Sequence, residues 1–154
     1  MPSKKASHEL DSAPWIRVES TLMSAANAIR SEYNQRFAEL DLNLSQAMML
    51  AYVAEFGAAT QTRIADRLAV GRAAAGNIVD ALEKRGLIER MPDPDDRRVW
   101  LVQATADGKA LADRIIEIDI VFRGDLRKGV TREERQQLAS LLLRLQQNLE
   151  DSNP

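Results

Sequence analysis

The chain contains no cysteine and a single histidine, His8, among 154 residues. Disulfides are therefore impossible, and thiol chemistry, cysteine-ligated zinc and cysteine-held haem lose their raw material. Acid-base work by a histidine of the folded core is equally unsupported, because His8 lies in a polar stretch with Pro2, Ser3, Lys4, Lys5 and Ser7. Aromatic residues are scarce at 5%. No apolar run reaches the roughly 18 residues of a membrane span, and the N-terminus lacks the apolar centre of a secretion signal. The expected address is the cytoplasm, with no membrane as partner. No nucleophile-base arrangement, nucleotide-binding loop or dinucleotide fingerprint is present. The expectation is a protein that is not an enzyme and needs no metal or cofactor.

What is there suits a soluble globular chain, with 45% hydrophobic and 29% charged residues. At this length one compact domain or two small lobes are expected. The net charge of -2 argues at first against nucleic acid, whose phosphates are met by Lys and Arg. Distribution matters more than the sum. Residues 61–100 carry 8 basic and 7 acidic side chains, whereas the segments on either side are net acidic. Arg63, Arg67 and Arg72 gather in that middle segment, so a local basic face is compatible with an acidic protein.

The apolar pattern is helical over most of the chain. From Trp15 to Leu40 apolar residues recur at steps of three and four, and Pro14 suits a first helical turn. Asn43 with Gln46 forms a capping-box pattern for a second helix, which Gly57 stops. Thr60 caps a short helix over 61–68, the turn Ala69-Val70-Gly71 follows, and a further helix runs from Arg72 to Arg85 with its stop at Gly86. Leu87–Arg90 and Val99–Val102 read as two strands of a hairpin whose tip holds two prolines, three aspartates and two arginines. Thr105 caps a long helix that Gly129 closes, and Thr131 with Glu134 opens the last helix. The fold class is therefore mainly α with a small β-hairpin wing: a winged helix-turn-helix flanked by terminal helices. Residues 1–12 form a flexible tail, 13–42 and 105–150 the dimerisation helices, and 43–104 the DNA-reading unit. The terminal helices carry long apolar stripes that a chain this small cannot easily bury alone, so a second copy of the chain is the expected partner.

Residue by residue, Leu68-Ala69-Val70 with Arg72, then Val79 through Arg90, then Asp96-Arg97-Arg98 and Thr105-Ala106-Asp107-Gly108, resemble the multiple-antibiotic-resistance regulator (MarR) family. The resemblance covers roughly residues 15–150, and its specificity lies in the order and spacing of fragments that are individually weak. It implies a homodimeric transcription factor, usually a repressor, that binds a pseudo-palindromic operator in double-stranded DNA and leaves it when a small aromatic, phenolic or anionic effector binds. Half-sites would lie about one helical turn, roughly 34 to 36 Å, apart.

The resemblance assigns DNA contacts to Arg72, Ala73, Ala74, Gly76 and Asn77 on the second helix of the motif, with Gln61, Thr62 and Arg63 of the first near the backbone. Arginine pairs bidentately with guanine, asparagine with adenine, and alanine touches a thymine methyl. The sequence departs from the family pattern at Gly71 and in the apolar run Ala73-Ala74-Ala75-Gly76, where a cap and polar readers are usual. In the wing, Asp96 matches the acid that steadies Arg98 for the minor groove, and Arg97 is placed to meet phosphate. The effector cleft of the family maps to Tyr33, Phe37, Met48, Tyr52 and Leu111, residues whose spacing equally suits plain core. Arg17, Arg30 and Arg36 are candidates for an anionic effector. The competing reading is a winged-helix protein-interaction module without sequence-specific DNA binding.

Overall fold

The computed structural model describes residues 17–152. His8, Pro14, Trp15 and the expected 1–12 tail lie outside the described residues. The chain forms two compact units, one reaching to Asp119 and one starting at Ile120.

In the first unit, α1 (Val18–Phe37) is followed by a 3-10 turn (Ala38–Leu40) and by α2 (Leu44–Phe56). Burial along α1 rises toward its C-terminus: Val18 and Leu22 are exposed, Ile29 and Tyr33 half-buried, and Phe37 buried. The Asn43 side chain accepts from the Gln46 amide at 2.9 Å while Gln46 returns the bond to the Asn43 amide at 3.0 Å. This reciprocal pair satisfies two N–H groups that the first turn of α2 cannot serve, a device worth about 1 kcal/mol. Gly57 ends α2 at φ 82°, a left-handed backbone that favours glycine.

A two-residue strand, β1 (Ala59–Thr60), leads into α3 (Gln61–Leu68), with the Thr60 hydroxyl accepting from the Arg63 amide at 3.2 Å. Then come α4 (Arg72–Lys84), β2 (Ile88–Pro92), β3 (Trp100–Ala104) and α5 (Ala106–Leu126). The sheet order is β1-β3-β2, antiparallel throughout, with Ile88 opposite Ala104, Arg90 opposite Val102 and Pro92 opposite Trp100. Both hairpin strands extend beyond their expected ends at Arg90 and Val102. The ladder survives Pro92 because β2 is an edge strand, where a missing N–H costs no interior bond. The strand β1 is also absent from the sequence reading: two residues carry no periodicity, and their pairing with Leu101 and Val102 is wholly non-local.

The core of this unit is built by Met49, Leu50 and Val53 of α2, Ile64 of α3, Val79 and Leu82 of α4, and Ile88 and Val102 of the hairpin, all at most 2% exposed. It fixes α3, α4 and the hairpin as one body, which positions the site. In the second unit, the end of α5, a turn with Gly129 at φ 77° and α6 (Arg132–Asp151) follow one another. Thr131 and Glu134 form the expected capping box. No residue of α6 is buried, and Leu138, Leu141, Leu145 and Leu149 are all exposed.

Candidate nucleic-acid interface

The turn between α3 and α4 depends on Ala69 at φ 52° and on two backbone hydrogen bonds that close it, from the Ala69 amide to the Asp66 carbonyl and from the Val70 amide to the Ala65 carbonyl. It delivers Gly71 as the N-cap of α4, with no side chain capping the helix. From there α4 sorts its residues cleanly. Ala75, Val79 and Leu82 face the core, while Arg72, Ala73, Ala74 and Asn77 face outward and Gly76 is half-buried. Ala75 is thus a packing residue, and the outward face holds four of the five expected contact residues, with Gly76 at its edge. On α3, Thr62 and Arg63 are exposed and Gln61 half-buried. A Cβ at Gly76 would stand 3.3 Å from Nε2 of Gln61, so the two helices approach closely where both lists of expected contacts meet.

The wing is ordered by its own polar groups. The Asp93 amide donates to the Val99 carbonyl at 2.8 Å, and the Val99 amide to the Asp96 carbonyl at 2.9 Å. The Asp93 carboxylate accepts the Asp95 amide at 2.9 Å. Asp96 accepts three bonds from Arg98: from the amide at 3.1 Å, from Nε at 3.0 Å and from Nη2 at 3.0 Å. The fork fits the carboxylate bidentately, and the Arg98 side chain is still 90% exposed. The Arg98 side-chain and backbone bonds hold the Asp96 carboxyl below its ordinary value. The same pairing raises the Arg98 guanidinium. Arg97 is exposed, and among the described residues no acid pairs with it or with Arg72.

At the base of the wing, Arg90 bridges β2 to α4. Its Nη2 donates to Asp80 Oδ1 at 2.5 Å, its Nη1 bonds Glu83 Oε2, and its amide donates to Glu83 Oε1 at 3.2 Å. The hydrogen bond to Asp80 is the largest cause of a raised Arg90 value; partial burial opposes it and Glu83 adds to it. Two of the acids that dilute the positive charge of residues 61–100 are thereby neutralised where they sit. Arg85 reaches away from this face and donates to the carbonyls of Asp41 at 2.6 Å and Leu40 at 3.0 Å. Sequence reading missed both arginines as positioning groups, since nothing local distinguishes them from other surface cations.

The five expected cleft residues are dispersed by comparison. Phe37 is buried, and Tyr33 stacks on it with ring centroids 5.5 Å apart while donating its hydroxyl to Asp119 at 2.7 Å. Leu111 and Tyr52 pack against the core, and Met48 is exposed. Tyr52 lines a cavity of about 300 Å³ with Phe56, Ala58, Ala59, Arg63 and Arg67. Arg36 is engaged by Glu32 at 2.7 Å. Among the described residues no cluster of three metal-ligating side chains exists, and no helix is long and apolar enough to cross a membrane.

A helix-turn-helix with an exposed outer face on its second helix, followed by a ribbon that ends in an acid-steadied arginine, defines the winged-helix class of regulators. The MarR family model matches residues 42–100, which spans α2 through the start of β3. The transcriptional repressor NicR of Pseudomonas putida is 29% identical over 131 residues, covering 80% of this chain and 83% of NicR. The solved transcriptional regulator SlyA superposes with a TM-score of 0.77 at 27% identity, over 88% of this chain and 95% of SlyA. The Staphylococcus aureus MepR–DNA complex shares the fold, with a TM-score of 0.78 at 21% identity over 86% and 98% of the two chains. Over residues 42–100 the chain matches the MarR family, and the relatives it resembles over most of its length are helix-turn-helix transcriptional regulators rather than enzymes.

Proposed function

We propose that the chain is a cytoplasmic, homodimeric, sequence-specific DNA-binding repressor that a small aromatic or anionic effector releases from its operator. The observation that carries the reading is the wing: Arg98 projects into solvent from the turn that precedes β3 while Asp96 fixes its rotamer. A guanidinium so presented suits a narrow A/T minor groove, where the negative potential is deepest. On α4, Arg72 is suited to guanine and Asn77 to adenine, with Gln61, Thr62, Arg63 and Arg97 near phosphates. Few polar side chains stand on the outer face of α4. The wing and the deformability of the duplex therefore carry a large share of the specificity.

The exposed leucines of α6 support assembly of two copies, which presents two reading helices to a palindrome. Tyr33, Phe37, Met48, Tyr52 and Leu111 are the proposed effector-cleft residues. The cavity beside Tyr52 supports an anionic aromatic ligand, because it brings two rings and two arginines together. The deciding experiment selects bound duplexes from a random pool at fixed salt and repeats the selection with phenolic and aromatic acids. Enrichment of a palindrome that the acids abolish is the expected result; recovery of no common sequence at moderate salt sinks the reading.

A further inference from the structure

Trp100 is 57% exposed, although it stands in a strand whose later residues on the same side are buried. Residues directly opposed in an antiparallel ladder project to the same side of the sheet. The pairs Ile88–Ala104, Arg90–Val102 and Pro92–Trp100 therefore share one side. On that side Ile88, Val102 and Ala104 are buried, and Arg90 reaches to Asp80 and Glu83 of α4. Trp100 and Pro92 form the next pair outward, past the end of the core, still on the side that looks toward α4. β1 pairs only with Leu101 and Val102, so Trp100 also marks the point where the sheet thins to a two-stranded ribbon.

A scattered exposed apolar residue needs no explanation by itself. This one has a defined setting. It is held by a ladder on a rigid strand, backed by a proline, and placed two residues after the arginine that projects from the wing. Two residues of extended chain span at most about 7 Å, which is about two base steps at 3.4 Å each. An indole there has an apolar face for a deoxyribose ring and a single N–H that donates to a phosphate oxygen.

We propose that Trp100 is a DNA-contact residue, seated against the sugar-phosphate backbone at the edge of the minor groove that Arg98 enters. The proposal rests on the DNA-binding reading above. It makes the wing a two-part device, with a charged tip that is sensitive to salt and an uncharged shoulder that is not.

The chain has two tryptophans, Trp15 and Trp100, so Trp15→Phe leaves Trp100 as the only indole emitter. The probe is the fluorescein-labelled duplex selected above, titrated with full-length protein while anisotropy and tryptophan emission are followed together. Trp100 emission is expected to shift or quench in step with anisotropy. Trp100→Ala is expected to weaken binding about tenfold with an unchanged slope of log K against log salt, whereas Arg98→Ala lowers that slope by about one. Trp100→Phe, which keeps the apolar face and loses the donor, should fall between wild type and Trp100→Ala, and matching thermal melts exclude misfolding as the cause. Saturating anisotropy with unaltered Trp100 emission, or wild-type affinity of Trp100→Ala, overturns the proposal. So does a changed oligomeric state of Trp100→Ala in sedimentation, which assigns the indole to a second copy. Failure of the underlying reading looks different: no duplex then gives a saturable anisotropy change with any of the proteins.

Discussion

Gly76 and Gly108 both lie inside helices, where alanine is intrinsically better by about 0.5–1 kcal/mol, yet their surroundings predict opposite outcomes. A Cβ at Gly108 would lie 1.8 Å from the Leu87 carbonyl oxygen, a backbone atom that cannot step aside. Gly108→Ala is expected to destabilise by at least about 1–3 kcal/mol through overpacking, read as a lower urea midpoint. At Gly76 the nearest atom is the end of the flexible Gln61 side chain, 3.3 Å away, so Gly76→Ala should raise the midpoint modestly while displacing Gln61. The wing pair sets a pH expectation. Asp96 is lowered by its Arg98 bonds, so the pairing is present above the ordinary carboxylate value, about 3.9, and is lost as pH falls through the lowered one. Operator affinity should therefore show no titration of this pair between pH 5 and 8. Asp96→Asn, which cannot serve as an anionic fork, should weaken binding at every pH in that range without changing the melt.

Elements show where a sequence is legible. Asn43 with Gln46, Thr60, Thr105 and Thr131 with Glu134 all make the capping bonds their spacing implies, because a cap is a contact between residues three apart. The outward residues of α4 were legible only through the family resemblance, which assigns contacts to Arg72, Ala73, Ala74, Gly76 and Asn77. The bond from Arg90 to Asp80 and Glu83, the bond from Arg85 to residues 40 and 41, and the pairing of β1 were not legible, since each joins segments whose proximity only the folded core creates. The Arg90 bridge yields a test. Arg90→Met removes a cation that faces α4 and leaves two carboxylates, Asp80 and Glu83, unneutralised on the reading helix. Operator affinity should drop more than it does in the Asp80→Asn, Glu83→Gln, Arg90→Met triple variant, where the acids are gone as well. Equal losses in fluorescence titrations of the two proteins would show that the bridge acts by orienting the wing and not through charge.

For the whole molecule, the unburied leucines of α6 make the oligomeric state the decisive variable. Leu141→Lys with Leu145→Lys should give a monomer in sedimentation velocity and lower the affinity for a palindrome about a hundredfold, as linked half-sites become independent ones. Binding to an isolated half-site should be unchanged. The first unit holds one further constraint. The Thr105 hydroxyl donates to the Gly86 carbonyl at 2.7 Å and accepts the Gly108 amide at 3.1 Å, while the Thr105 amide donates to the Leu87 carbonyl at 3.1 Å. With no room for a side chain at Gly108, these few atoms weld the start of α5 to both the entry and the exit of the hairpin. The root of the ribbon is thereby pinned at both of its strands to the first turn of α5, so a substitution there disturbs the footing of the wing before it touches the tip.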